Sequence, residues 1–227
     1  LGAILFNAGI GVWWVLVSHA HPSADSGQII SAAQRLMQGQ ARALSVAEYF
    51  QIYPYQTGFL LFAEGFLRLF GANNILAFQL SNPVYVCISV VAIVLIAKEL
   101  FNDPKIELFT ALLAALCFQP ALLSTFLYGT LPGMALAIWS IYFVVRSIRN
   151  GKLLPLIPAM LLIALAILLK KNFWIVLIAE GIMLLLFIIR SKKAILLIGL
   201  TGMMALSAVV PSLVQSFYET RSGESFG

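Results

Sequence analysis

Apolar residues fill long stretches of this chain, and short polar breaks separate them. Seven stretches approach the ~20 residues that a helix needs to cross a bilayer core. They cover about 1–18, 75–97, 106–124, 130–146, 153–169, 173–189 and 194–212. The pattern predicts an all-α polytopic membrane protein with about seven transmembrane helices. Two further segments are patterned differently. Over 26–38, Ile29, Ile30, Ala33, Leu36 and Met37 share one helical stripe, with Gln28, Ser31, Gln34, Arg35 and Gln38 opposite. Asp25 or Ser26 is a natural N-cap for that helix, and Gly39 a natural stop. Segment 56–70 is apolar but short for a span and carries Glu64 and Arg68, so it reads as an interfacial or re-entrant helix. Residues 19–74 thus form a long first loop holding two surface helices, and long loops in compact proteins usually carry function.

Composition supports the membrane reading and removes others. Of 227 residues, 61% are hydrophobic and only 10% charged, whereas a soluble domain carries about a quarter charged residues. The excess of 14 Lys+Arg over 9 Asp+Glu does not signal nucleic acid, because the cations cluster between apolar runs. Cys87 and Cys117 fall inside apolar runs and read as small buried hydrophobes, with no disulfide or metal motif. No charged region precedes the first apolar run, so 1–18 reads as a genuine span. The end, Arg221 to Gly227, reads as loop, as though the chain were the front portion of a longer protein.

Charge sets the expected orientation. Lys98 with Lys105, Arg146 with Arg149 and Lys152, and Arg190 with Lys192 and Lys193 all fall on one side if 56–70 does not cross. The positive-inside rule makes that side cytoplasmic and places 19–74, 125–129, 170–172 and the C-terminal tail outside. Lys170 and Lys171 oppose the rule at the tip of a tight outward turn. Snorkelling to headgroups would explain them; so would binding an anionic group held at the outer leaflet.

Several short motifs then converge on one family. Asp25 after the first span, Ala32-Ala33-Gln34, Tyr53-Pro54-Tyr55-Gln56-Thr57-Gly58, Leu69-Phe70-Gly71, Leu127-Tyr128-Gly129 and Leu169-Lys170-Lys171-Asn172 stand in this order. The set resembles the GT-C superfamily of polyprenyl-phosphate-sugar-dependent glycosyltransferases, in particular the bacterial relatives of protein O-mannosyltransferases and of the lipid A aminoarabinose transferase. The resemblance implies one transmembrane GT-C-like module over 1–227. It also implies inverting transfer of a sugar from a polyprenyl-phosphate carrier to a cell-envelope acceptor: a polymer, a glycolipid or a secreted protein. The site would lie on the outer face of the plasma (cytoplasmic) membrane. The family's first-loop acid maps onto Asp25. A second acid of that pair is missing, because Ala24 and Ser26 flank Asp25, and this leaves the need for a divalent metal undecided.

Physical chemistry gives each candidate a role and a bland alternative. A carboxylate can position an acceptor hydroxyl and take its proton late; Asp25 could equally be only a helix cap. A positioned ammonium on Lys170 or Lys171 would stabilise a departing phosphate more than the bound ground state. Tyr53, Tyr55, Gln56 and Tyr128 suit stacking on a sugar or lining an acceptor groove, or else an interfacial aromatic belt. His19 and His21 with Asp25 make a His-x-His-x3-Asp arrangement without a fourth ligand. Glu180, in mid-span, is expected to make a structural hydrogen bond. The rival class is a transporter or flippase, which would gather its polar groups at mid-membrane, where Asn82-Pro83 and Glu180 are the hints.

Overall fold

The structure is a computed structural model that describes residues 1–41, 44 and 49–226. Every element in it is helical: α1 (Gly2–Ser18), α2 (Ala24–Met37), α3 (Thr57–Phe70), α4 (Ile75–Phe101), α5 (Pro104–Leu116), α6 (Thr130–Asn150), α7 (Leu156–Leu169), α8 (Trp174–Ser191) and α9 (Leu196–Ser222). Single helical turns at Tyr49–Ile52, Pro54–Gln56, Gln119–Leu122 and Leu123–Thr125 join them. The expected first loop, 19–74, is described except at residues 42–43 and 45–48.

Among the described residues, five helices are long and apolar enough to cross a membrane: α4, α5 with its following turns, α6, α8 with the turn before it, and α9. The remaining two expected spans, α1 and α7, are shorter apolar helices of 17 and 14 residues. At ~1.5 Å per residue α7 spans only about 21 Å, less than a bilayer core. It tolerates this because protein covers it: α6 and α9 pack along its flanks, and Ala159, Ile163 and Ala166 are fully buried. In contrast, α5 buries none of its side chains and leaves Leu108, Phe109 and Leu112 exposed. Beyond its first turn, where Lys105 and Glu107 stand, that apolar surface suits lipid.

The bundle has two distinct ends. At one, Gln79 donates to the carbonyls of Ala20 (2.8 Å) and Thr125 (3.2 Å), and Lys170 meets Thr130. At the other, Arg149 pairs with Glu99 at 3.6 Å, and Lys193 packs against Gly151. Helices α2 and α3 belong to the first end. The apolar stripe of α2 is buried as its spacing predicts, with Ile29, Ile30, Ala33 and Leu36 all at 3% exposure or less. It faces α3 and not lipid. The contacts of α3 are with residues of that same end: Phe66 stacks on Phe78 at 4.4 Å, and the Glu64 carboxylate accepts from Tyr218 at 2.7 Å.

Three local expectations need correction. Asp25 does not cap α2. Ser23 precedes the helix, its N–H donates to the Ser26 hydroxyl (3.2 Å), and that hydroxyl donates back to the Ser23 carbonyl (2.8 Å). The chain enters through Ala24 at φ 48°, which places Asp25 inside the first turn. The helix α9 runs on past the expected span end at 212, so Arg221 and Ser222 belong to it and not to a loop, and Arg221 closes on Glu64. Cys117 is exposed and not buried.

Candidate active site

The site is assembled by two glycines that allow backbones to touch. A Cβ on Gly58 would collide with the Leu168 carbonyl, and one on Gly129 with the Leu169 carbonyl. The start of α3 and the 126–129 turn therefore seat directly on the end of α7, beside Lys170. This is why Tyr53–Gly58, Leu127–Gly129 and Leu169–Asn172 meet although they are far apart in the chain. Ala33 and Gln34 serve the same assembly. Ala33 is fully buried, and Gln34 holds the turn after α3 through the Ala72 carbonyl (2.9 Å) and the Asn73 side chain (3.3 Å). Gly71, at φ 105°, ends α3 there.

Tyr128 is the centre of the cluster. Gln56, buried at 4% exposure, donates to the Tyr128 hydroxyl. The Lys170 ammonium sits 4.8 Å from the centroid of the Tyr128 ring and donates to the Thr130 hydroxyl at 2.7 Å. Burial pushes the Lys170 amine below the usual lysine range. Tyr128 is moved the other way: burial raises its phenol, the Gln56 bond opposes this, and the Asp25 carboxylate adds to the rise. Tyr49 is raised strongly, first by burial and then by the Asp25 charge. The Tyr49 hydroxyl lies by that carboxylate, although no hydrogen bond of normal geometry joins them. Asp25 itself is exposed. An exposed acid, half-buried phenols and a half-buried ammonium thus share this end of the bundle.

Lys171 takes a different direction from Lys170. It lies 5.5 Å from the Tyr55 ring and lines a small cleft with Trp174, Ser207 and Gln215. Tyr55 and Tyr53 are both partly exposed and meet edge to face at 6.0 Å. The seven candidates Asp25, Tyr53, Tyr55, Gln56, Tyr128, Lys170 and Lys171 all stand at this end. His19 and His21 line a separate groove with Gln79. Among the described residues no group of three His, Cys, Asp or Glu side chains gathers to hold a metal ion.

Sequence reasoning missed three participants. Tyr49 and Thr130 carried no motif signal; only the fold brings them to Asp25 and Lys170. The third is the anchor beneath the site. Glu64, 5% exposed, accepts from Arg68 (2.7 Å), Arg221 (2.8 and 2.9 Å) and Tyr218. Burial alone would raise its carboxyl, but those hydrogen bonds outweigh it and hold the group below the usual range. Arg221 also donates to the Leu36 carbonyl at 3.3 Å, which ties α2, α3 and α9 together. Glu180 departs from expectation. It is 1% exposed and, among the described residues, neither of its carboxylate oxygens has a hydrogen-bond partner. Asn82 is engaged structurally, donating to the Ser124 carbonyl at 2.8 Å.

From Gly58, Pro132 and Leu169 an apolar groove of about 680 Å³ runs along α6 past Leu136 and Trp139 to Phe143. Residues 57–214 match the family model described as dolichyl-phosphate-mannose-protein mannosyltransferase. The matched stretch includes Gly58, Tyr128, Lys170 and Lys171, and Asp25 precedes it. No curated protein and no solved structure matches the chain.

Proposed function

Because the chain belongs to the dolichyl-phosphate-mannose-protein mannosyltransferase family, membrane glycosyltransferases of the GT-C type, we propose that it moves a sugar, with inversion, from a polyprenyl phosphate to a cell-envelope acceptor. The site would open on the outer face of the cytoplasmic membrane, because the basic clusters lie at the other end of the bundle. The observation that carries this reading is the Lys170 ammonium over the Tyr128 ring, with the Asp25 charge also felt at that phenol.

Asp25 accepts the proton of the acceptor hydroxyl. That oxygen attacks the anomeric carbon from the face opposite the phosphate, and the C–O bond to phosphate breaks, with its electron pair leaving on the phosphate oxygen. Lys170 faces the charge that develops there. Being partly stripped of water, its ammonium acts with less screening than one in solvent. Tyr128, held by Gln56, offers an aromatic face to the sugar. Tyr53 and Tyr55, with Lys171 behind them, line the approach of the acceptor. The apolar groove beginning beside Lys170 takes the isoprenoid tail, whose length suits a trough lined by Phe62, Tyr85, Leu136 and Trp139. A transporter would collect its binding groups at mid-bundle; here the seven candidates stand at one end, and Glu180 stands apart from them in mid-span.

The test is transfer from labelled polyprenyl-phosphate sugars by the full-length protein in vesicles. Asp25→Asn is expected to lower turnover at least about a hundredfold, as loss of a general base does. Unchanged turnover in a normally folded Asp25→Asn protein would remove this mechanism.

A further inference from the structure

A second groove, of about 480 Å³, opens at the basic end of the bundle. Phe143 and Arg146 of α6, Lys152 in the following turn, and Leu154 and Ile157 near the start of α7 form its walls. Phe143 lines this groove and the tail groove alike, so the two meet there. Its cations are uncommitted. Arg146 reaches only the Tyr142 hydroxyl, at 3.2 Å, and neither Arg146 nor Lys152 has an acidic partner among the described residues. Arg149 beside them is paired with Glu99. The Lys193 amine, packed against Gly151, adds charge next to Lys152.

The geometry points to a binding site for an anionic phospholipid at this groove, with its phosphate between Arg146 and Lys152 and its acyl chains along Phe143, Leu154 and Ile157. A soluble phosphate would leave the apolar wall uncovered. The far end of an isoprenoid would leave both cations without a counter-charge. A phospholipid meets both needs: its headgroup lies at the membrane surface, where such cations attract anionic lipids, and its chains run inward. Phe143 then separates this lipid from the donor tail. The site stands on its own and does not depend on the sugar-transfer reading.

The test uses full-length protein reconstituted with equal phosphatidylglycerol and phosphatidylethanolamine, extracted in mild detergent and weighed by native mass spectrometry. Wild type is expected to retain phosphatidylglycerol in preference to phosphatidylethanolamine. Arg146→Gln with Lys152→Gln should lower that retention about tenfold or more, since each cation near a membrane surface contributes roughly a kcal/mol. Lys105→Gln with Lys192→Gln removes the same charge outside the groove and should leave retention intact. Leu154→Trp fills the groove with every charge kept, and should release the lipid even if the double variant folds poorly. Undiminished retention in the groove variants, or equal loss in the control pair, would overturn the site. Retention of polyprenyl phosphate there in place of phosphatidylglycerol would overturn it too.

Discussion

Both ends of this bundle carry cations, but they hold them in opposite ways. At the basic end Arg146 and Lys152 are exposed and unpaired among the described residues, open to lipid headgroups, and exposed Arg149 pairs with Glu99. At the other end Lys170 is half-buried, laid over an aromatic ring and bonded to a hydroxyl. The difference lies in the local scaffold. Glycines at 58 and 129 let three chain segments close around Lys170, whereas nothing encloses Arg146. A cation becomes a candidate for chemistry when packing removes its freedom and its water.

Substitutions at the two ends should separate these roles. Lys170→Gln is expected to cost transfer about tenfold to a hundredfold, within or below the range for removing one electrostatic stabiliser. Arg149→Gln, the same charge change at the basic end, should leave turnover within about twofold. Comparing kcat/KM for the donor in the two variants checks this. An intermediate effect is expected for Lys171→Gln, expressed mainly in acceptor KM, because its amine lines the Tyr55 cleft.

The scaffold beneath the site can be broken separately. Glu64→Gln leaves Arg68 and Arg221 without their carboxylate. Loss of a partner in a fully buried pair costs ~3–5 kcal/mol; because both arginines reach solvent, about 2 kcal/mol is expected here. Thermal unfolding in detergent should show a melting temperature lower by roughly 4–8 °C. Gly129→Val forces a side chain onto the Leu169 carbonyl, and overpacking of this kind costs about 1–3 kcal/mol. Gly65→Ala, on α3 with open space around it, should be neutral or slightly stabilising.

The smallest effect concerns pH. The carboxyl of Glu64 is held below its ordinary range in the fold. Its contribution is therefore fully present above the ordinary glutamate pKa and is lost as pH falls through the depressed value. The acid limb of the stability curve should be shallower in Glu64→Gln than in wild type. Equal limbs would mean that Glu64 is not what α2, α3 and α9 share.

Much of this was legible in sequence because apolar periodicity reports burial directly. The α2 stripe, the spans and the congregation of Tyr128, Gln56 and Lys170 follow from patterns that need only local or motif-level reading. What was hidden depends on distance in the chain. Gln215, Glu219 and Arg221 look like loop residues in a hydropathy window, yet they continue α9 because Glu64 and the Phe226 backbone receive them. Capping was misassigned to Asp25 because Ser23, two residues earlier, is an equally good cap by type. The left-handed turn at Ala24 decided between them. Tyr49 and Thr130 are ordinary residues until folding brings them to a charged neighbour.

In the proposed mechanism Asp25 and Lys170 act on one substrate beside Tyr128. A double-mutant cycle of Asp25→Asn and Lys170→Gln, read in kcat/KM for the labelled donor, tests it most directly. Strong non-additivity is expected, with the double variant no slower than the slower single. Losses that multiply independently would mean that the two residues serve separate events, and would contradict it.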